Sequence, residues 1–154
     1  MEPFAVQAGE GVKYSTPVNG SAVVMADTLR TNGSLSVLEV LIPPYEGPAA
    51  HTHLREDEVW YVIEGRFRFK AGDRLLRAST GGMAFGPRGV LHAFQNIGDT
   101  PGRLLIITTP SGVERFFEQA GKMSQPVDPE ELAEIGRANW VEFGGPPLAV
   151  SDPL

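Results

Sequence analysis

From about Ser21 to Thr109 the chain alternates apolar and polar residues over short runs separated by turn residues. This is the pattern of half-buried strands rather than of helices. "SAVVMADTL" and "SLSVLEVLI" flank "RTNGS", where Asn32-Gly33 predicts a hairpin. "EVWYVIEG" reads as a strand that stops at Gly65. "RFRFKA" alternates strictly, with Phe67, Phe69 and Ala71 facing one way and Arg66, Arg68 and Lys70 the other. Gly72-Asp73 turns the chain into "RLLRAS". "GGMAFGPRG", "VLHAFQNIG" and "GRLLIITT" follow as three further strands, and no repeat at a fixed period is visible.

The pattern changes after Pro110. "SGVERFFEQAG" predicts a short helix with Ser111 as its cap and Gly121 as its stop. "DPEELAEIGRANW" predicts a second, with Asp128 as cap, Pro129 in the first position and Glu131 in the third. The tail "GGPPLAVSDPL" is expected to be extended or frayed. One domain is therefore expected: an N-terminal extension (1–20), a β-barrel or sandwich (21–110), and helices with a tail packed on it (111–154). A jelly roll is one such closure.

At 154 residues the chain has room for one full core. A net charge of -6 argues against nucleic acid or an anionic membrane as partner, since both call for a basic face. With no cysteine, disulfides, thiolate ligands and a cysteine nucleophile are all excluded. "MEPFAVQAGEGVK" has neither a basic start nor an apolar run, so a cytoplasmic location is expected.

The candidate chemistry lies in "HTHLREDEVWYVIEG", which holds two of the three histidines. In a strand, His51 and His53 share a face. Alternation puts Glu58 on the side of Trp60 and Val62; if that side is the core, Glu58 needs a partner, because a lone buried carboxylate costs several kcal/mol. His92, alternating with Phe94, can point inward as well. Three imidazoles and a carboxylate suit Fe, Mn, Ni, Co, Cu or Zn better than Ca or Mg. Taken singly, a histidine on a strand is more often a surface or hydrogen-bonded residue than a ligand, and "REDE" is most often a solvated turn, in which Arg55, Glu56 and Asp57 face water. The conjunction favours a site, since every histidine in the protein fits it.

The spacing resembles that of the cupins. His51-Thr52-His53, four residues, Glu58, six residues and Gly65 match their first motif. Gly81, Pro87, Gly89, His92 and Asn96 match their second. One position departs: the glycine that opens the first motif falls at Tyr45, with the nearest glycine at Gly47. The tail "ERFFEQAG" and "VEFGGPPL" resembles that of small single-domain cupins described as quercetin dioxygenase-like. The resemblance implies an all-β, double-stranded β-helix (a jelly-roll barrel) carrying two C-terminal helices. It further implies one divalent transition metal held by His51, His53, Glu58 and His92. Asn96 would secure backbone turns rather than touch substrate.

Glu58 is the candidate catalytic residue, as a base for a substrate hydroxyl. Trp60, Phe67, Phe85 and Phe94 are candidate pocket residues, and Tyr45 a candidate for the entrance. The first functional reading is a dioxygenase acting on a small aromatic or enolic substrate. A redox-neutral isomerase, lyase or decarboxylase and a binding protein without turnover stand beside it, since one fold hosts all three. Jelly rolls often pair through exposed edges and sheet faces, so a homodimer is expected.

Overall fold

The computed structural model describes all residues 1–154. Eleven strands form two antiparallel sheets. β1 (Val12–Ser15), β2 (Ser21–Ala26), β3 (Ser36–Ile42), β5 (Asp57–Glu64), β8 (Met83–Gly86) and β10 (Gly102–Thr109) make one, in the order β1-β2-β3-β10-β5-β8. β4 (Ala49–His53), β6 (Arg66–Ala71), β7 (Arg74–Ser79), β9 (His92–Asn96) and β11 (Val141–Pro147) make the other, in the order β11-β4-β9-β6-β7. The chain crosses between sheets repeatedly from β3 to β10, which is how a jelly roll winds. Leu38, Val40, Trp60, Val62, Leu104 and Ile106 face Phe67, Phe69 and Phe94 across the core. No helix is long and apolar enough to cross a membrane.

Several local expectations are revised. Val12–Ser15, placed in the N-terminal extension, pairs with β2 and joins the sheet. β2 and β3 do pair across Asn32-Gly33, but through the longer segment 27–35, in which Thr31 Oγ1 donates within the loop. Asn32 and Gly33 both take positive φ there, 49° and 81°.

Helix α1 (Glu114–Ala120) starts two residues later than Ser111 suggests, with Val113 in the cap position. The Ser111 hydroxyl is engaged with Thr28 Oγ1, and Glu114 accepts from Ser36, Thr28 and the Gly112 N–H. Helix α2 (Pro129–Ala138) is capped by Asp128 as expected.

Two revisions bear on the site. The tail is extended but not frayed: β11 pairs with β4, and a single helical turn, α3 (Leu148–Ser151), buries Leu148. Arg68, expected on the solvent side of β6, is 3% exposed. Its guanidinium donates to Gln95 Oε1, Leu148 O and Asp152 O, while Lys70 pairs with the Asp152 carboxylate at 2.7 Å. The outward face of β6 is therefore covered by the tail. Gln95 in turn donates to the Tyr45 carbonyl. Tyr45 has φ 63°, the left-handed conformation glycine adopts without strain, and it stands where the motif it resembles opens on a glycine.

Candidate metal centre

Strands β4, β5 and β9 deliver the four candidate ligands to one point inside the barrel. Alternation along "AAHTH" turns His51 and His53 inward, and alternation along β5 buries Glu58, Trp60 and Val62. His92 is the register partner of His51 in the β4–β9 pair. One nitrogen or oxygen from each of His51, His53, Glu58 and His92 lies within 4.8 Å of the others. Glu58 Oε2 stands 3.2 Å from His53 Nε2 and 3.1 Å from His92 Nε2. All four residues are at most 9% exposed.

The surroundings fix how these groups point. The Nδ1–H of His51 donates to Ala49 O at 2.8 Å, and that of His92 to Val90 O at 2.9 Å. Each ring therefore turns an Nε2 lone pair inward, as imidazole ligands do. Trp60 Nε1 donates to Glu58 Oε1 at 2.9 Å, so Oε2 alone faces the histidines. Gly86 makes room for that indole: a Cβ there would fall 2.3 Å from the Trp60 ring. The Gly89 N–H holds the His53 carbonyl at 2.8 Å. Asn96 donates to the carbonyls of Ile42, Pro43 and Thr100, and accepts from Gly98, in the structural part expected of it.

The electrostatics set the three histidines apart. Burial, with the neighbouring His92 and His53, lowers His51 to about 3, so its imidazole is neutral at ordinary pH. Burial would lower His53 too, but Glu58 and Glu56 outweigh it and raise it to about 9. Burial would raise the Glu58 carboxyl, yet His53 and His92 hold it well below the usual carboxylate range. Glu58 Oε2 and His92 Nε2 are buried without a hydrogen-bond partner. Buried polar atoms without partners are costly, and a divalent ion among them would satisfy both. The donor set of three nitrogens and one carboxylate fits a divalent transition metal.

Above this cluster lies a cavity of about 270 Å³ with His51, His53 and Glu58 on its wall. Phe116 and Phe117 of α1, Leu132 of α2, and Phe143 of β11 close it from the C-terminal side. Of the expected pocket residues only Phe94 lines it. Trp60 and Phe67 are fully buried in the core. On β8 it is Ala84 and Gly86 that face inward, so Phe85 points out and is 49% exposed. Tyr45 is 52% exposed and outside the cavity wall. The C-terminal lining is not readable from sequence because its signals, the Phe116-Phe117 pair and the alternation of "VEF", also describe ordinary packing. Glu56 is likewise not a solvent-facing spacer: it is 2% exposed and stands against His53. Its parity with Glu58, Trp60 and Val62 is the one sign of this in the sequence.

Residues 38–108 match the cupin domain family. An uncharacterized protein of Methanocaldococcus jannaschii is 25% identical over 75 residues, covering 49% of this chain and 60% of that protein's length. Similar solved structures include a predicted oxalate decarboxylase from Thermotoga maritima, with a TM-score of 0.63 and 17% identity over 70% of this chain and 99% of the other. KdgF from Halomonas sp. gives 0.61 and 18%, covering 71% and 94%. An RmlC-like cupin from Shewanella frigidimarina gives 0.60 and 20%, covering 72% and 93%. At these identities the likeness speaks for the fold alone. The two-sheet barrel and the cluster of three histidines and one glutamate inside it agree with that cupin-domain match over residues 38–108.

Proposed function

We propose that the protein is a metal-dependent dioxygenase acting on a small aromatic or enolic substrate, in the manner of quercetin dioxygenase-like cupins. The carrying observation is the asymmetry of the cavity: polar ligand atoms at one end, and Phe94, Phe116, Phe117, Leu132 and Phe143 along the rest. A bound divalent redox metal would supply Lewis acidity and electron relay to a substrate oxygen and dioxygen. The apolar wall orients a planar, weakly polar body and excludes water. Glu58 Oε2, the one carboxylate oxygen not tied to Trp60, is placed to ligate or to take a proton from a substrate hydroxyl.

The lining holds no lysine or arginine. A small dicarboxylate would find counter-charge only at the ligand end and none along the apolar wall, which weighs against oxalate as substrate despite the likeness to a predicted oxalate decarboxylase. The test is oxygen uptake by the metal-loaded protein against a panel of flavonols and β-diketones. Uptake that depends on substrate, and is reduced in Glu58→Gln, is the expected result. Turnover that continues under argon would establish the redox-neutral reading instead. Tight substrate binding without turnover would make the protein a binding cupin.

A further inference from the structure

The three histidines are not held alike. His51 and His92 each donate Nδ1–H to the carbonyl two residues before them. His53 has no such acceptor: its Nδ1 is buried without a hydrogen-bond partner, and the nearest carboxylate oxygen is Glu56 Oε2 at 3.7 Å, itself buried and unpartnered. Glu56 is enclosed from the other side by the loop leading to α1, where a Cβ on Gly112 would lie 3.4 Å from Glu56 Oε1.

We propose that Glu56 is a positioning residue for the metal centre: its carboxylate takes the place of the missing backbone carbonyl and holds His53 as the Nδ1–H tautomer with Nε2 turned to the ion. The proposal rests on the reading of His51, His53, Glu58 and His92 as metal ligands. At 3.7 Å the contact is longer than a hydrogen bond, but the negative end of a buried carboxylate favours a proton on the nitrogen facing it. A carboxylate behind a ligating imidazole orients the ring and raises its donor strength, and losing it typically costs about 10–100-fold in metal affinity. Neither effect requires Glu56 to touch substrate.

The experiment compares wild type, Glu56→Ala, Glu56→Gln and Glu64→Gln. Glu64 is exposed at the far end of β5, the strand that follows Glu56, and its substitution removes the same formal charge. Zn(II) affinity is measured by chelator competition, and the histidine ring protons of the Zn(II)-loaded proteins by long-range 1H–15N correlation. Glu56→Ala is expected to bind Zn(II) about 10–100-fold more weakly. The His53 Nδ1 proton should be lost to exchange while those of His51 and His92 persist. Glu56→Gln, which keeps an acceptor oxygen, should fall between, and Glu64→Gln should match wild type. Should Glu56→Ala not fold, the affinity and His53 signal of Glu56→Gln decide: both like wild type overturns the proposal. An affinity loss with the His53 proton unchanged also overturns it, since that marks a general packing effect. Wild type that binds no metal would instead overturn the metal reading itself, a separate outcome.

Discussion

Phe143 on β11 stands directly opposite His51 on β4 in an antiparallel pair, and their rings are 5.9 Å apart. A residue from the C-terminal tail is thus a wall of the candidate metal centre. Val141 pairs with His53 two positions along, so the tail strand backs both ligands of the first motif. Phe143 also lies 6.1 Å from Phe116 of α1, joining the strand to the helical roof.

Phe143→Ala should therefore enlarge the cavity without removing a ligand. Because the ring is half-buried, a loss of about 1–3 kcal/mol is expected, below that of a fully buried phenylalanine. Denaturant unfolding measures this. Metal stoichiometry should stay at the wild-type level while the range of accepted substrates widens; loss of the metal would show that the ring supports the ligands rather than the pocket.

Removing a ligand should do the opposite. His51→Ala and His92→Ala are expected to lose the metal, read by elemental analysis of the purified proteins. Full metal stoichiometry in either would mean the site is misassigned. Chelation of the wild-type protein should lower its melting temperature, because an ion bound only by the folded state stabilises it by about 2.7 kcal/mol at a hundredfold excess over Kd.

The latch on the tail makes a third prediction. Arg68→Ala leaves the carbonyls of Leu148 and Asp152, and Gln95 Oε1, without their donor in a buried site. A loss of about 2–4 kcal/mol is expected. Hydrogen exchange should accelerate in β11 before it does in β10. Uniform acceleration across both sheets would argue that Arg68 serves the core and not the tail.

Glu114 should shape the acid limb of stability. Burial would raise its carboxyl, but hydrogen bonds from Ser36 and Thr28 outweigh this and hold it below the ordinary value. A carboxyl depressed in the folded state stabilises above its ordinary pKa, and that contribution is lost as pH falls through the folded value. Glu114→Gln should flatten the decline in stability below about pH 4.5. An unchanged acid limb would place the linkage on other groups.

The outward face of the six-stranded sheet presents Val37, Ile107, Val59 and Phe85 in one row, with Leu105, Tyr61 and Met83 beside them. Tyr61, Met83 and Phe85 are 42–54% exposed. A second copy of this chain is proposed as the cover, since a two-fold pairing sets the same apolar rows against each other. Light scattering at micromolar concentration should report a dimer, and Tyr61→Glu with Phe85→Glu a monomer. A monomeric wild type would end this proposal.

Much of the domain is legible in the chain. Period-two alternation marks the strands, because a strand buried on one face must alternate. β6, β7 and β10 begin and end where "RFRFKA", "RLLRAS" and "GRLLIITT" do. The four residues of the metal cluster are readable for the same reason, since alternation within β4, β5 and β9 sets their direction. Three things were decided by tertiary structure. Arg68 reads as a solvent-facing cation until the tail folds over it. Glu56 reads as part of an acidic turn until the loop at Gly112 encloses it. The C-terminal side of the cavity wall comes from Phe116, Phe117, Leu132 and Phe143, all of them far beyond His92 in sequence. Periodicity reports which face of an element is apolar, but not which distant element will cover it. Here the covering element is the C-terminal segment, and its docking gives a barrel with three histidines an apolar pocket over them.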